Sequence, residues 1–163
     1  MRIVALSDTH IPDFAKALPK PLFSHLRRAD LILHAGDVTS ATVLDELALY
    51  AQVHVAMGNN DGYDVAAWGA EDIAELQLHA KTVVMLHDSG RRDGRARRLR
   101  RRFPNANLIV FGHSHIPVDE EVDGLRLFNP GSPTWKRRQP VPTIGLIDLN
   151  PERIVTRIVD LSG

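Results

Sequence analysis

The chain has 163 residues, 44% hydrophobic and 25% charged, an ordinary globular composition and a length suited to one domain, residues 1–163. It has no cysteine, which excludes disulfides, thiolate metal sites and cysteine nucleophiles and fits a reducing cytoplasm. Lys+Arg and Asp+Glu balance at 20 each, so no global field draws it to nucleic acid or membrane, and no apolar run suits a signal peptide or a membrane span.

In chain order, "RIVAL" at 2–6 reads as a first buried strand. Leu18, Leu22 and Leu26 follow at helical spacing, then "LILHA" at 31–35 as a second strand. Val43, Leu44 and Leu47 follow Thr39-Ser40, which can cap a helix. "VHVAM" at 53–57, "TVVML" at 82–86 and "LIVF" at 108–111 complete five continuous apolar runs, as expected of strands covered on both faces. Between the last two, Ala96, Leu99 and Phe103 form a narrow helical stripe. Near the C-terminus, Asp123-Gly124 marks a tight hairpin within 118–128, and Asn150-Pro151 separates two more strands at 143–149 and 153–161. Alternating strands and helices give an α/β fold, with a mixed or second sheet built from the C-terminal strands.

Polar residues follow each apolar run. They are Ser7-Asp8-Thr9-His10, Gly36-Asp37, Gly58-Asn59-Asn60-Asp61, His87-Asp88 and Gly112-His113-Ser114-His115. Parallel strands place their carboxyl ends on one edge of a sheet, so these loops are expected to converge there. Asp and neutral His suit Zn²⁺, Mn²⁺, Fe or Ni²⁺. Asp-x-His and His-x-His would put both donors on one side of an extended segment. Seven donors exceed the needs of one tetrahedral ion and predict two ions sharing a carboxylate. Such a pair lowers the pKa of a water between them and neutralises charge on a phosphoryl group.

"DTH", "GD", "GNND", a later His, "GHSH" and "NPGS" at 129–132 together resemble the signature of the calcineurin-like metallophosphoesterases, and the short length resembles their small bacterial and archaeal phosphodiesterase branch. The resemblance implies a four-layer α/β/β/α sandwich with two mixed β-sheets flanked by helices. It implies two divalent ions, Mn²⁺ first, with Zn²⁺, Fe or Ni²⁺ as alternatives. Asp8, His10 and His115 would hold one ion, and Asn59, His87 and His113 the other, with Asp37 bridging. Asp61 would orient the site, and Asn129, Gly131 and Ser132 would line or brace it near the substrate. Asp37, Asn59, Asp61 and His113 are the expected catalytic set. Relatives of this size also make a homo-oligomer an expected state.

Two positions depart from the family pattern. Asn60 stands where many relatives carry a His that protonates the leaving group, and an amide is no general acid near neutral pH. The expected substrate is therefore a phosphodiester with a good leaving group, a small molecule or nucleotide, with Asn60 beside it. Asp88 stands where relatives usually have Gly.

Eight arginines fall between Arg91 and Arg102, and Lys136-Arg137-Arg138 follows Trp135. The first run reads as a solvated helix face, yet arginine binds phosphate bidentately, so both runs are also candidate substrate or nucleic-acid contacts, with Arg138 taken as the substrate-binding cation. His25, His34, His54 and His79 read as structural, with His34 the one to watch because it lies three residues before Asp37. Two competing functions are a nuclease and a non-catalytic scaffold. The latter resembles a retromer-coat subunit of the same fold, which shares an Asp-x-His-Ile-Pro start but departs at metal-binding positions.

Overall fold

In the computed structural model, which describes residues 1–163, each apolar run becomes a strand within a residue or two of its expected bounds. The elements are β1 (Arg2–Leu6), α1 (Leu22–Leu26), β2 (Leu31–His34), α2 (Ala41–Ala48), β3 (Gln52–Val55), α3 (Tyr63–Trp68) and β4 (Ile73–Leu78). They continue with β5 (Lys81–Leu86), α4 (Arg95–Arg102), β6 (Leu108–Val110), β7 (Val118–Val122), β8 (Leu125–Asn129), β9 (Thr143–Leu149) and β10 (Ile154–Asp160).

The strands form two five-stranded mixed sheets, ordered β10-β9-β1-β2-β3 and β4-β5-β6-β8-β7. β1, β2 and β3 run parallel in the first sheet, and β5, β6 and β8 run parallel in the second. The C-terminal strands are therefore shared out, one antiparallel pair to each sheet, rather than making a sheet of their own. Alternation along each strand decides the layers. Ile3, Ala5, Leu33, Val83, Met85, Val110 and Phe128 meet between the sheets. Val4, Leu6, Ile32 and Val55 face α1, α2 and α3 on one outer side, while Val84, Leu86 and Ile109 face Leu99 of α4 on the other. The result is the expected α/β/β/α order.

Two local outcomes follow from turn chemistry. Leu18, Leu22 and Leu26 are all buried, but only the last two are helical, because Pro19 and Pro21 have no N–H to donate and the helix starts after them. Ser40 accepts a hydrogen bond from Thr42 N–H and caps α2 as its type suggests. β4 and α3 were not evident from apolar runs. β4 is an edge strand with alternating exposure, and α3 has a single buried residue, Val65. Because β1, β2, β3, β5, β6 and β8 all run the same way within their sheets, their carboxyl ends deliver six loops to one rim of the sandwich.

Candidate metal centre

The loops after β1, β2, β3, β5 and β6 bring Asp8, His10, Asp37, Asn59, His87, His113 and His115 together. Asp8 Oδ1 lies 3.8 Å from His10 Nε2 and 3.4 Å from His115 Nε2. Asp37 Oδ2 lies 3.5 Å from His10 Nε2 and 3.3 Å from His87 Nε2, so this carboxylate faces both sides of the cluster. Asp8 Oδ1 also lies 3.9 Å from His87 Nε2, so a second carboxylate shares that central position. Asn59 Oδ1 lies 2.9 Å from His87 Nε2 and 3.1 Å from His113 Nδ1.

The donors are not aligned by an extended backbone, as spacing alone suggested. Asp8, His10, Asp37, His113 and His115 all have φ between +43° and +71°. Left-handed backbone turns, not strand alternation, aim them inward, and such conformations cost about 1–3 kcal/mol each. Glycine permits the approach. A Cβ on Gly112 would lie 1.8 Å from Ser7 Oγ, and one on Gly36 2.7 Å from His87 Nδ1.

Behind the donors, hydrogen bonds fix which atoms point inward. His87 Nδ1 donates to Ala35 O at 2.7 Å and His115 Nδ1 to Trp135 O at 2.6 Å, which turns the Nε2 atom of each ring toward the cluster. Ser7 Oγ–H and His113 N–H both donate to Asp8 Oδ2, which leaves Oδ1 facing inward. Asp61 accepts from the N–H groups of Asp37, Thr39 and Gly58, each at 2.8 Å. It is a positioning residue, joining two loops from behind.

Electrostatics follow burial and these bonds. Burial would raise Asp37, but hydrogen bonds from His87 and from the Asn60 backbone and side chain hold it well below the usual carboxylate range. Burial depresses His87, yet its bond to Asp37 and the nearby Asp8 charge outweigh that and raise it. Burial dominates at His115 and lowers it. At His34, burial pushes the pKa down to about 4. Gly36 N–H donates to His34 Nδ1, and Nε2 lies 3.0 Å from Thr9 Oγ1, so this buried ring ties the first two ligand loops together as a neutral imidazole.

The remaining expected residues divide. Asn129 ends β8, Gly131 and Ser132 lie in the loop after it, and all three are buried. Asn129 Nδ2 donates to Gly112 O at 3.1 Å and Ser132 Oγ donates to Asp8 O at 2.8 Å, the bonds of braces rather than of an open substrate surface. Asn60 is occupied by Asp37, donating to it through both N–H and Nδ2 at 2.8 Å. Asp88 bends away to accept from Gly90 N–H, and its other oxygen stops 3.9 Å from His113 Nε2. Arg138 is exposed; the cation that reaches the rim is its neighbour Arg137, stacked 4.6 Å over Trp135. Trp135 stands edge-on to His10 and His115 at 5.1 and 5.0 Å and stacks on Phe14 at 3.6 Å. No sequence signal marks its role, because the atom that orients His115 is a backbone carbonyl.

The donor set fits divalent metal. Asp8 Oδ1, His10 Nε2 and His115 Nε2 are buried with no hydrogen-bond partner. Orphaned polar atoms of this kind are costly unless something binds them, and here all three point at one another. Residues 1–152 match the calcineurin-like phosphoesterase superfamily domain. The chain belongs to that superfamily. A probable metallophosphoesterase of Methanothermobacter thermautotrophicus is 33% identical, over 98% of this chain and 92% of its own. A phosphodiesterase of Methanocaldococcus jannaschii is 29% identical, over 91% and 93%. The solved structure of vacuolar protein sorting 29 from Cryptosporidium parvum shares the fold with a TM-score of 0.86 at 22% identity, covering 98% of this chain and 91% of the other. Members of the superfamily are phosphoesterases that use divalent metals, and this chain carries candidate ligand groups for them. No helix is long and apolar enough to cross a membrane.

Proposed function

We propose that residues 1–163 act as one domain, a two-metal phosphodiesterase. Asp8, His10 and His115 hold one ion, Asn59, His87 and His113 hold the other, and Asp37 stands between them with Asp8 beside it. The observation that carries this reading is the convergence of three orphaned buried donors on one side of Asp37 and three further donors on the other. Bound divalent ions supply a nucleophile of lowered pKa and charge neutralisation at the phosphoryl group.

The chain's own residues set the rest. Hydrogen bonds from the Asn60 backbone and side chain keep Asp37 ionised, and Ala35 O and Trp135 O hold His87 and His115 in the tautomer that presents Nε2. Asn60 has its amide committed to Asp37, so it offers the leaving group no proton. Esters with good leaving groups are favoured, and diesters over monoesters, whose second charge would face Asp88 at the rim.

The test is a panel of aryl phosphodiester and phosphomonoester substrates with Mn²⁺, Zn²⁺, Fe²⁺ and Ni²⁺. We expect diester turnover that is lost in Asp37→Asn with the fold retained by circular dichroism. Metal-loaded protein inactive on every ester would overturn the reading in favour of a scaffold. The fold likeness to vacuolar protein sorting 29 is the observation that favours that second reading.

A further inference from the structure

Eight arginines lie between Arg91 and Arg102 with one acid, Asp93, among them, in a chain whose Lys+Arg and Asp+Glu balance overall at 20 each. None of the eight forms an ion pair. Their chemistry separates them. Arg98 donates to the carbonyls of Ser89, Arg91 and Asp93, and Arg100 to those of Pro104 and Ala106; these two close the ends of α4. Arg92, Arg95, Arg97 and Arg101 have no such bonds. All four line a trough of about 740 Å³ between α4 and the β7–β8 hairpin.

That trough extends toward the loop that carries His113 and His115. A second hollow of about 360 Å³ shares Arg92, Arg95 and Glu120 with it and ends at Ser114 and Ile116, on either side of His115. Arg95 is set where the two meet, its guanidinium 4.8 Å over the buried Phe111 ring and its Nε buried with no partner. Burial lowers the pKa of Arg95 and outweighs the opposing charge of Glu120 on the facing wall.

We propose that this trough binds the backbone of a single-stranded oligonucleotide whose scissile phosphodiester lies in the metal centre. A row of guanidinia along two turns of helix matches a chain of regularly spaced anions better than one small phosphate. Exposed apolar side chains sit where bases would leave the stack. Ile116 is 48% exposed at the mouth of the hollow, and Phe14 is 56% exposed beside His10 and stacks on Trp135. The opposite wall carries Glu120 and Asp123, which repel the strand and confine it to the α4 side. This inference rests on the phosphodiesterase reading for the position of the scissile bond, but strand binding can be measured without turnover.

The experiment uses the full chain treated with chelator and a fluorescent 12-nucleotide single strand, followed by anisotropy across a salt series. Binding should weaken steeply with salt. The variant R97A/R101A, altered only at exposed residues, should bind at least about tenfold more weakly, with a log–log salt slope smaller by about 1.4. E120Q should bind more tightly than the unaltered chain. Inorganic polyphosphate of equal phosphate number should compete less well than the strand. No binding at low salt, an unchanged slope in R97A/R101A, or stronger binding of polyphosphate overturns the proposal. So does self-association of the chain, seen by sedimentation and lost in both R97A/R101A and E120Q, which would make α4 and the acidic hairpin a contact between copies. Aryl diester turnover by the unaltered chain tests the catalytic reading separately.

Discussion

At His10 and His115 the donor nitrogens are buried and bond to nothing, whereas across Asp37 the donors Asn59 and His113 are exposed and bond to each other. The first side is closed. Asp8 and His115 side chains are both 0% exposed, and the His10 ring stacks on that of His115 at 5.2 Å. The second side is open, with the His113 side chain 45% exposed and no bond holding its Nε2. The contrast teaches where preorganisation is strong. Closed donors have already lost their water and their freedom, so a cation gains the full interaction there. Open donors must first give up mutual hydrogen bonds and rotamer freedom.

Three measurements can break or sharpen this contrast. The largest effect is expected from His115→Ala. It should remove tight metal binding on the closed side and lower diester turnover by more than about 100-fold, beyond the usual cost of losing an orienting partner. His113→Ala should cost about tenfold, with weakened binding of one ion while the other stays bound, read by metal analysis during a chelator titration. Equal losses in the two variants would erase the distinction between the sides.

An effect comparable to that of His113→Ala should come from Asp61→Asn, which keeps the shape but halves the acceptor character holding three backbone N–H groups of the Asp37 and Asn59 loops. We expect roughly a 10-fold loss of metal affinity on the open side, little change on the closed side, and no loss of thermal stability beyond a few degrees. Isothermal titration with Mn²⁺ reads the two sides as separate events. An equal fall on both sides would show that Asp37, rather than the Asn59 loop, transmits the defect.

The smallest effect belongs to His34. Its folded pKa is about 4 against an ordinary 6.5, so between those pH values the unfolded chain takes up a proton that the folded chain refuses. Stability is therefore intact above pH 6.5 and falls as pH drops through that window, by at most about 1.4 kcal/mol per pH unit from this group. In chelated protein, urea denaturation at pH 7 and pH 5 should show a difference roughly 1–2 kcal/mol smaller in His34→Gln. An identical acid sensitivity in the variant would show that the link between the Thr9 and Gly36 loops does not depend on a neutral imidazole.

Much of the candidate centre was legible because side chains able to hold a metal come from a few residue types. In this fold the loops after the strands converge, and Asp8, Asp37, His87 and His113 each stand within three residues of an apolar run. The two sheets were harder to read. Five buried strands look alike whether they lie in one sheet or in two, and only the antiparallel β9 and β7 show how the strands are shared out. The left-handed conformations of the ligands left no mark, since Asp and His tolerate them without the glycine that would advertise them. Which arginine of the Arg137-Arg138 pair lies over Trp135 was hidden for a similar reason. Neighbours in sequence are equivalent until the backbone turns, and Arg137 has φ of +51°, which sends its side chain back over Trp135. β4 was hidden because an edge strand with one wet face lacks a continuous apolar run.

The bond from Ser132 Oγ to the carbonyl of Asp8 spans 124 residues of sequence, and β1 lies between β2 and β9 in its sheet. A ribosome therefore releases the first ligand loop long before the residues that clamp it exist. β1 can pair early with β2, its near neighbour in sequence, but its other edge waits for β9. The loop of Asp8 and His10 is framed on both sides only once the chain is made through Asp148, the last β9 residue that pairs with β1.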